Sequence, residues 1–310
     1  METLAAIDIG SNAIRLVIGE IDHYGDIRIL KKIREPVRLG ADVFSLGCLS
    51  PKTREKALAT FVKFRDILGS YGVQHYRAVA TSALREARDR DEFVSQTLAA
   101  TGIRLDIIDG IEEGKLIFSA VNHRVDLHDK TALLIDIGGG SVELTLVDDA
   151  ECIATQTFKL GTVRLLESLN ARGLKEKHLP QLLDEALGPA RVFLNELKQT
   201  YRVELAVGTG GNFECLGKLR VALLHKTSIF SMTRKELGDL AEHLLTMSLK
   251  ERIQFLRLRP DRADVVVPAA LVTKAVMEIA ETELLTIPYV GLRDGILAEL
   301  GSRIEHAHRK

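Results

Sequence analysis

A chain of 310 residues with 46% apolar content can bury more than one hydrophobic core, and at about 100–200 residues per domain it reads as two domains. Its 42 basic and 43 acidic side chains nearly cancel, so no overall field recruits nucleic acid, and an anionic ligand must be held by local groups. The three cysteines, Cys48, Cys152 and Cys215, form no CxxC pair, which argues against a disulfide framework or a structural zinc site and fits a reducing cytoplasm.

The N-terminus enters Leu4-Ala5-Ala6-Ile7-Asp8 without a basic leader, and no stretch approaches the roughly 20 apolar residues of a membrane span, so neither export nor anchoring is expected. Residues 4–9 and 14–21 are rich in Ile, Leu and Val on either side of Gly10-Ser11-Asn12, the pattern of a strand, a tight turn and a second strand. Ser50 and Pro51 offer an N-cap and a first-turn proline for a helix whose apolar face takes Leu58, Phe61, Val62, Ile67 and Leu68, closing near Gly69 or Gly72. Residues 76–80 read as a strand, and 81–90 as a polar, basic junction. An amphipathic helix with Phe93, Val94 and Leu98 follows, and then a strand over 103–108.

After Glu112-Glu113, a helical stripe of Leu116, Ile117, Ala120 and Val121 runs into the polar stretch 123–130. The domain boundary is placed there, giving an N-terminal lobe over 1–125 and a C-terminal lobe over 126–310, with a last helix over 294–310 that could pack back on the first lobe. Residues 133–147 repeat the strand, glycine turn, strand pattern. Helical patterns cover 163–169 and 178–201, and a strand over 203–207 ends in Gly208-Thr209-Gly210-Gly211, with helix from Asn212 onward. The remaining third is mostly helical. This alternation predicts an α/β layered fold.

Aligning Asp8 on Asp136 superposes Ile-Asp-Ile-Gly on Ile-Asp-Ile-Gly and sets Arg15 opposite Glu143, each seven residues beyond its aspartate. Two such units predict two lobes facing each other across a cleft that the glycine turns line. Glycine turns expose backbone N–H groups that converge on an anion, so phosphate is the natural guest. One such hairpin alone is most simply a tight turn; the duplication, with a charged residue at the same offset, favours a binding role. Gly208-Thr209-Gly210-Gly211 is a third anion site at a helix N-terminus, weak when taken alone. It is no Walker A loop, because Asn212 stands five residues before Gly217-Lys218 and Leu219 follows. There is no GxGxxG or HExxH, and His128-Asp129 is a lone dipeptide without metal spacing.

The segments Asp8-Ile9-Gly10-Ser11-Asn12 to Arg15-Leu16, Ala80-Thr81-Ser82-Ala83-Leu84-Arg85-Glu86-Ala87, Gly110-Ile111-Glu112-Glu113-Gly114-Lys115-Leu116-Ile117, Asp136-Ile137-Gly138-Gly139-Gly140-Ser141-Val142-Glu143 and Gly208 to Gly211 occur in one order. Arg262-Ala263-Asp264 and Gly291-Leu292-Arg293-Asp294-Gly295 follow. Over nearly its whole length the chain resembles the exopolyphosphatase and guanosine pentaphosphate phosphatase family. The resemblance implies a two-lobed actin-like or Hsp70-like (ribonuclease H-like) fold with an interlobe cleft, and a homodimer.

Phosphoanhydride hydrolysis needs a cation to neutralise phosphate, donors to hold the chain in line, and a carboxylate to activate water. Asp136 and Glu143, helped by Asp8, are the expected metal site, suited as hard oxygen donors to Mg²⁺, with Mn²⁺ as an alternative. Acids in a first helical turn are commonplace; the resemblance is what makes Glu113 the catalytic base, with Glu112 beside it as the lesser candidate. Arg85 and Arg15 are the candidate phosphate clamps, because guanidinium donates in bidentate fashion to phosphoryl oxygens. Ser11, Asn12, Gly139, Gly140, Ser141, Gly210 and Gly211 complete the substrate contacts. Arg88 and Arg90 are read as solvated.

The chain departs from the family at Ala13, where a hydroxyl residue is common, at Asn212 in place of a threonine, and at Gly114-Lys115 in place of alanine-arginine. It also ends near residue 310, so the extra helical domains of longer members are not expected. The expected activity is removal of terminal phosphate from inorganic polyphosphate. A guanosine pentaphosphate 5′-phosphohydrolase, or a weakly catalytic regulator binding guanosine tetraphosphate, is the alternative. An actin-like ATPase or sugar kinase shares the phosphate turns but lacks the Glu112-Glu113 segment.

Overall fold

The computed structural model describes residues 2–22 and 24–308. These form two compact units, one drawn from 1–120 and 292–310, the other spanning 121–291.

In chain order the first unit holds β1 (Glu2–Ile9), β2 (Ile14–Ile21), β3 (Ile27–Glu35), α1 (Leu39–Leu46), α2 (Pro51–Ser70), β4 (His75–Ala80), α3 (Ser82–Glu86), α4 (Arg90–Thr101) and β5 (Leu105–Ile107). The helix α5 (Gly110–Asn122) then carries the chain onward. The second unit holds β6 (Thr131–Ile137), β7 (Val142–Asp148), β8 (Glu151–Phe158), α6 (Thr162–Ala171), α7 (Leu179–Ala186), α8 (Gly188–Leu197), β9 (Leu205–Thr209) and α9 (Gly210–Leu224). It continues with β10 (Ser231–Thr233), α10 (Arg234–Thr246), α11 (Leu249–Gln254), α12 (Pro260–Ala263), α13 (Val266–Ile279) and β11 (Leu284–Thr286). The last helix, α14 (Leu292–His308), packs on β1 of the first unit.

The two sheets share a plan. The first has the order β3-β2-β1-β4-β5, and the second β10-β11-β9-β6-β7-β8. In each, an antiparallel meander of three strands (β1–β2–β3; β6–β7–β8) is extended from its first strand by a parallel partner, β4 or β9. This is the α/β arrangement expected from the repeat, in the doubled form that the resemblance implies. The central strands are covered on both faces: residues 4–9 of β1 are buried without alternation, as are Ala132 to Ile135 of β6. One core gathers Ile7, Ile9, Leu16, Phe61, Phe64 and Phe93, and the other Leu133, Ile135, Leu144, Phe213 and Val276.

The expected opening of α2 is present. The Ser50 hydroxyl accepts from the Thr53 amide at 3.3 Å and Pro51 opens α2. Three expectations change. The helix over 178–201 is broken at Leu187 into α7 and α8, with Pro189 in the first turn of α8, because proline lacks the N–H that a continuous helix needs. The junction 81–90 contains the short helix α3. The meander edges β3 and β8 escaped the sequence reading, because their largely uncovered surface admits Arg28, Lys31 and Lys32, or Glu151 and Gln156, where apolar residues would signal a strand. Among the described residues no helix is long and apolar enough to cross a membrane.

Candidate active-site residues

In the first unit the turn between β1 and β2 is closed by the Gly10 amide donating to the Ala13 carbonyl at 3.2 Å. The turn is pinned from outside by the Gly40 amide, which donates to the Ser11 carbonyl at 2.8 Å, and by the Ser11 and Ser82 hydroxyls 2.9 Å apart. Gly40 is required there: a Cβ would stand 2.8 Å from that of Ser11. Across the sheet, Val79, Asp8, Arg15 and Arg34 lie side by side on β4, β1, β2 and β3. Arg15 Nη1 donates to Asp8 Oδ2 at 2.7 Å, so these two buried or half-buried charges compensate each other.

Glu113 sits in the first turn of α5 and is only 5% exposed. The turn is capped by Asp109, whose Oδ1 accepts from the Glu112 amide at 2.8 Å. Arg85, in the last turn of α3, anchors Nη1 on the Ile108 carbonyl at 2.7 Å and lies 3.5 Å from Glu113 Oε2. A nearly buried carboxylate thus faces a guanidinium that the main chain holds in place. Arg88 is exposed, as expected, and also donates to the Leu46 carbonyl at 2.7 Å.

In the second unit the turn between β6 and β7 closes in the same way, Gly138 N–H to Ser141 C=O at 3.0 Å. Here the matched row is Thr209, Asp136, Glu143 and Thr157 on β9, β6, β7 and β8. Asp136 Oδ1 accepts from the Thr209 hydroxyl at 2.6 Å, and Glu143 Oε1 from the Thr157 hydroxyl at 2.7 Å. The two acids bring carboxylate oxygens within 4.8 Å of each other, and Glu143 is 2% exposed. Like charges directly opposite on a sheet are destabilising. Two hard oxygen donors fixed in this way fit a divalent cation of the Mg²⁺ type.

The start of α6 shapes the rest of this turn. The amides of Thr162, Val163 and Arg164 donate to the carbonyls of Gly138 and Gly139 at 2.8 to 3.1 Å, and Arg164 Nε to that of Gly140 at 2.8 Å. In a trans peptide the N–H points opposite to the carbonyl, and no peptide bond is cis among the described residues. The successive N–H groups of Gly139, Gly140 and Ser141 therefore turn away from α6. Gly161 makes the close approach feasible, since a Cβ there would fall 2.3 Å from Gly140 backbone atoms.

The third loop is a helix N-terminus. Gly210 has φ +80°, a left-handed conformation that suits glycine, and its amide donates to the Val290 carbonyl at 2.8 Å. Asn212 Nδ2 donates to the Ile137 carbonyl at 2.7 Å, tying α9 to the end of β6, and its Oδ1 accepts from Arg262. The buried Arg262 guanidinium lies close over Gly211, where a Cβ would meet Nη2 at 2.8 Å. The residues that sequence reasoning gave no role are Thr157, Thr209, Arg34 and Arg262. The pairings of the first three depend on strand register; Thr209 lies in the Gly208-Thr209-Gly210-Gly211 loop and Arg262 in the Arg262-Ala263-Asp264 segment, the only signals the sequence offered for them.

The model of the Ppx/GppA phosphatase family matches residues 17–303. The guanosine-5′-triphosphate,3′-diphosphate pyrophosphatase of Photobacterium profundum is 28% identical over 307 residues, 97% of this chain but 60% of that protein. The chain therefore spans about three fifths of that relative. Exopolyphosphatase 1 of Mycobacterium leprae is also 28% identical, over 95% of this chain and 88% of its own length. The crystal structure of an exopolyphosphatase from Cytophaga hutchinsonii superposes with a TM-score of 0.86 at 26% identity, covering 97% of this chain and 98% of that one. With the family model spanning most of its length, this chain belongs to the Ppx/GppA phosphatase family.

Proposed function

We propose that this chain hydrolyses the terminal phosphoanhydride bond of inorganic polyphosphate, releasing orthophosphate. The observation that carries the reading is the nearly buried Glu113 carboxylate 3.5 Å from the anchored Arg85 guanidinium. A base placed beside a phosphate-seeking cation is what water attack on a phosphoryl group asks for. Glu113 takes a proton from water as the water oxygen bonds to the terminal phosphorus. The bond from that phosphorus to the bridging oxygen breaks, and the shortened chain leaves on that oxygen. Arg85 and Arg15 donate to phosphoryl oxygens, with Arg15 oriented by Asp8. The amides of Gly139, Gly140 and Ser141, the start of α9 at Gly210 and Gly211, and the side chains of Ser11 and Asn12 hold the remaining oxygens.

Asp136 and Glu143 would hold Mg²⁺, or Mn²⁺ in its place, which would neutralise phosphate charge. Asp8, already balanced by Arg15, contributes less to such a site. A second reading, hydrolysis of the 5′-terminal phosphate of guanosine pentaphosphate, is favoured by the equal identity to the Photobacterium relative. Both substrates are linear phosphoanhydrides and use the same groups.

The test is phosphate release from polyphosphate, guanosine pentaphosphate and ATP, with and without Mg²⁺, for the wild type and Glu113→Gln. Loss of a general base should lower kcat by about 10²–10⁴-fold. An unchanged rate removes Glu113 from the mechanism. Release from guanosine pentaphosphate alone transfers the assignment to the second reading.

A further inference from the structure

The base Glu113 has an acidic neighbour, Glu112, that the reaction does not use. Glu112 is gripped by Arg77 of β4, whose Nη2 donates to Glu112 Oε1 at 2.5 Å. The same guanidinium donates through Nη1 to Glu299 Oε2 on α14 at 2.6 Å and through Nε to Asp106 Oδ2 on β5 at 3.3 Å. Arg77 is the least exposed of the four, at 13% against 45% for Glu112, 45% for Asp106 and 28% for Glu299. One fork-shaped cation with five N–H donors thus joins β4 and its neighbour β5 to two helices. The helices also touch directly, because Gly295 of α14 lies so near α5 that a Cβ would stand 2.0 Å from the Leu116 carbonyl oxygen.

Consecutive residues on an α-helix point about 100° apart. Glu112 is taken by Arg77, and Glu113, next in the chain, faces Arg85. Two arginines from different elements therefore hold adjacent acids in different directions. Together they fix the rotation of the first turn of α5 about its own axis, and with it the direction in which the Glu113 carboxylate points.

We propose that Arg77 is a positioning residue for hydrolysis, acting through Glu112 and braced by Glu299 of the C-terminal helix to set the aim of Glu113. The inference rests on Glu113 being the base. Removing Arg77 leaves three carboxylates without their shared cation, and repulsion between them turns or frays the start of α5. A displacement near 1 Å at a reacting group costs about 10²-fold in rate. Binding of the phosphate chain, which depends on the glycine turns, is unaffected.

The experiment compares kcat and KM for polyphosphate, together with thermal melting, in Arg77→Met, Arg77→Lys, Glu112→Gln, Glu299→Gln and the double variant Arg77→Met/Glu112→Gln. Arg77→Met should lower kcat by about 30- to 100-fold with KM within about twofold. Arg77→Lys, which keeps the charge and a melting point near that of the wild type, should recover part of the loss. The double variant should lose no more than Arg77→Met, as expected for residues acting as one unit. A kcat for folded Arg77→Met equal to that of the wild type overturns the inference. So does a loss that merely tracks the fraction unfolded, or one that adds in full to that of Glu112→Gln. Measuring Glu113→Gln alone beside Arg77→Met separates this inference from the reading beneath it. With Glu113→Gln inactive and Arg77→Met fully active, only the positioning role fails; with Glu113→Gln fully active, the base assignment itself fails.

Discussion

At the first glycine hairpin the residues aligned across the sheet are Val79, Asp8, Arg15 and Arg34; at the second they are Thr209, Asp136, Glu143 and Thr157. The backbone plan is shared down to the hydrogen bond that closes each turn, Gly10 to Ala13 and Gly138 to Ser141. The aspartate is shared as well. One position on, arginine in the first row makes an ion pair with its aspartate, while glutamate in the second doubles the negative charge. The flanking residues follow suit. A second arginine extends the cationic row, and two threonine hydroxyls hold the acids of the anionic row. On one strand plan the first row carries two arginines and the second two carboxylates held by hydroxyls, and the difference lies in three side chains per row rather than in the fold.

That contrast can be broken by substitution. The largest effect is expected from Glu143→Gln, which keeps the shape of the side chain and the Thr157 hydroxyl as a neighbour but removes the second negative charge. The rate at a fixed, modest Mg²⁺ concentration should fall about a thousandfold, corresponding to the several kcal/mol that a Lewis-acidic ion contributes. A Mg²⁺ titration should recover part of it. Thr209→Val, isosteric but unable to donate to Asp136, should raise the Mg²⁺ concentration for half-maximal rate by about 10- to 100-fold, as loss of an outer hydrogen bond does at metal sites. Saturating Mg²⁺ should restore kcat. The smallest change is expected from Arg15→Met. It removes one charge-assisted donor, worth about 1.5 kcal/mol, and should raise the KM for polyphosphate about tenfold, leaving the Mg²⁺ dependence unaltered. A Mg²⁺ effect in Arg15→Met as large as that in Thr209→Val would erase the distinction between the rows.

Much of this organisation was legible in the sequence, for identifiable reasons. The doubled Ile-Asp-Ile-Gly segment gives the hairpins, and the offset of seven residues gives the Arg15 and Glu143 contrast, because an antiparallel hairpin with a short turn pairs residues at a fixed distance from its tip. Register beyond the hairpin is non-local. Thr209 meets Asp136 across a separation of 73 residues, and no period or turn signal encodes that pairing. The edge strands β3 and β8 were missed because solvent on their outer side relaxes the demand for apolar residues. Arg77 was invisible for a related reason. Its three carboxylates come from β5, α5 and α14, and only the packed unit brings them together. Glu113 was singled out by resemblance; its burial and its arginine neighbour supply the physical content that an acid in a first helical turn lacks.

The two rows are compared most directly by metal binding measured without substrate or turnover. Mn²⁺ binding, followed by electron paramagnetic resonance, should be compared in the wild type, Asp136→Asn, Glu143→Gln, Asp8→Asn and Arg15→Met. The account predicts that the first two variants lose the bound ion, whereas the last two keep it within a few-fold of wild-type affinity. Binding that is lost in Asp8→Asn and retained in Asp136→Asn would contradict it.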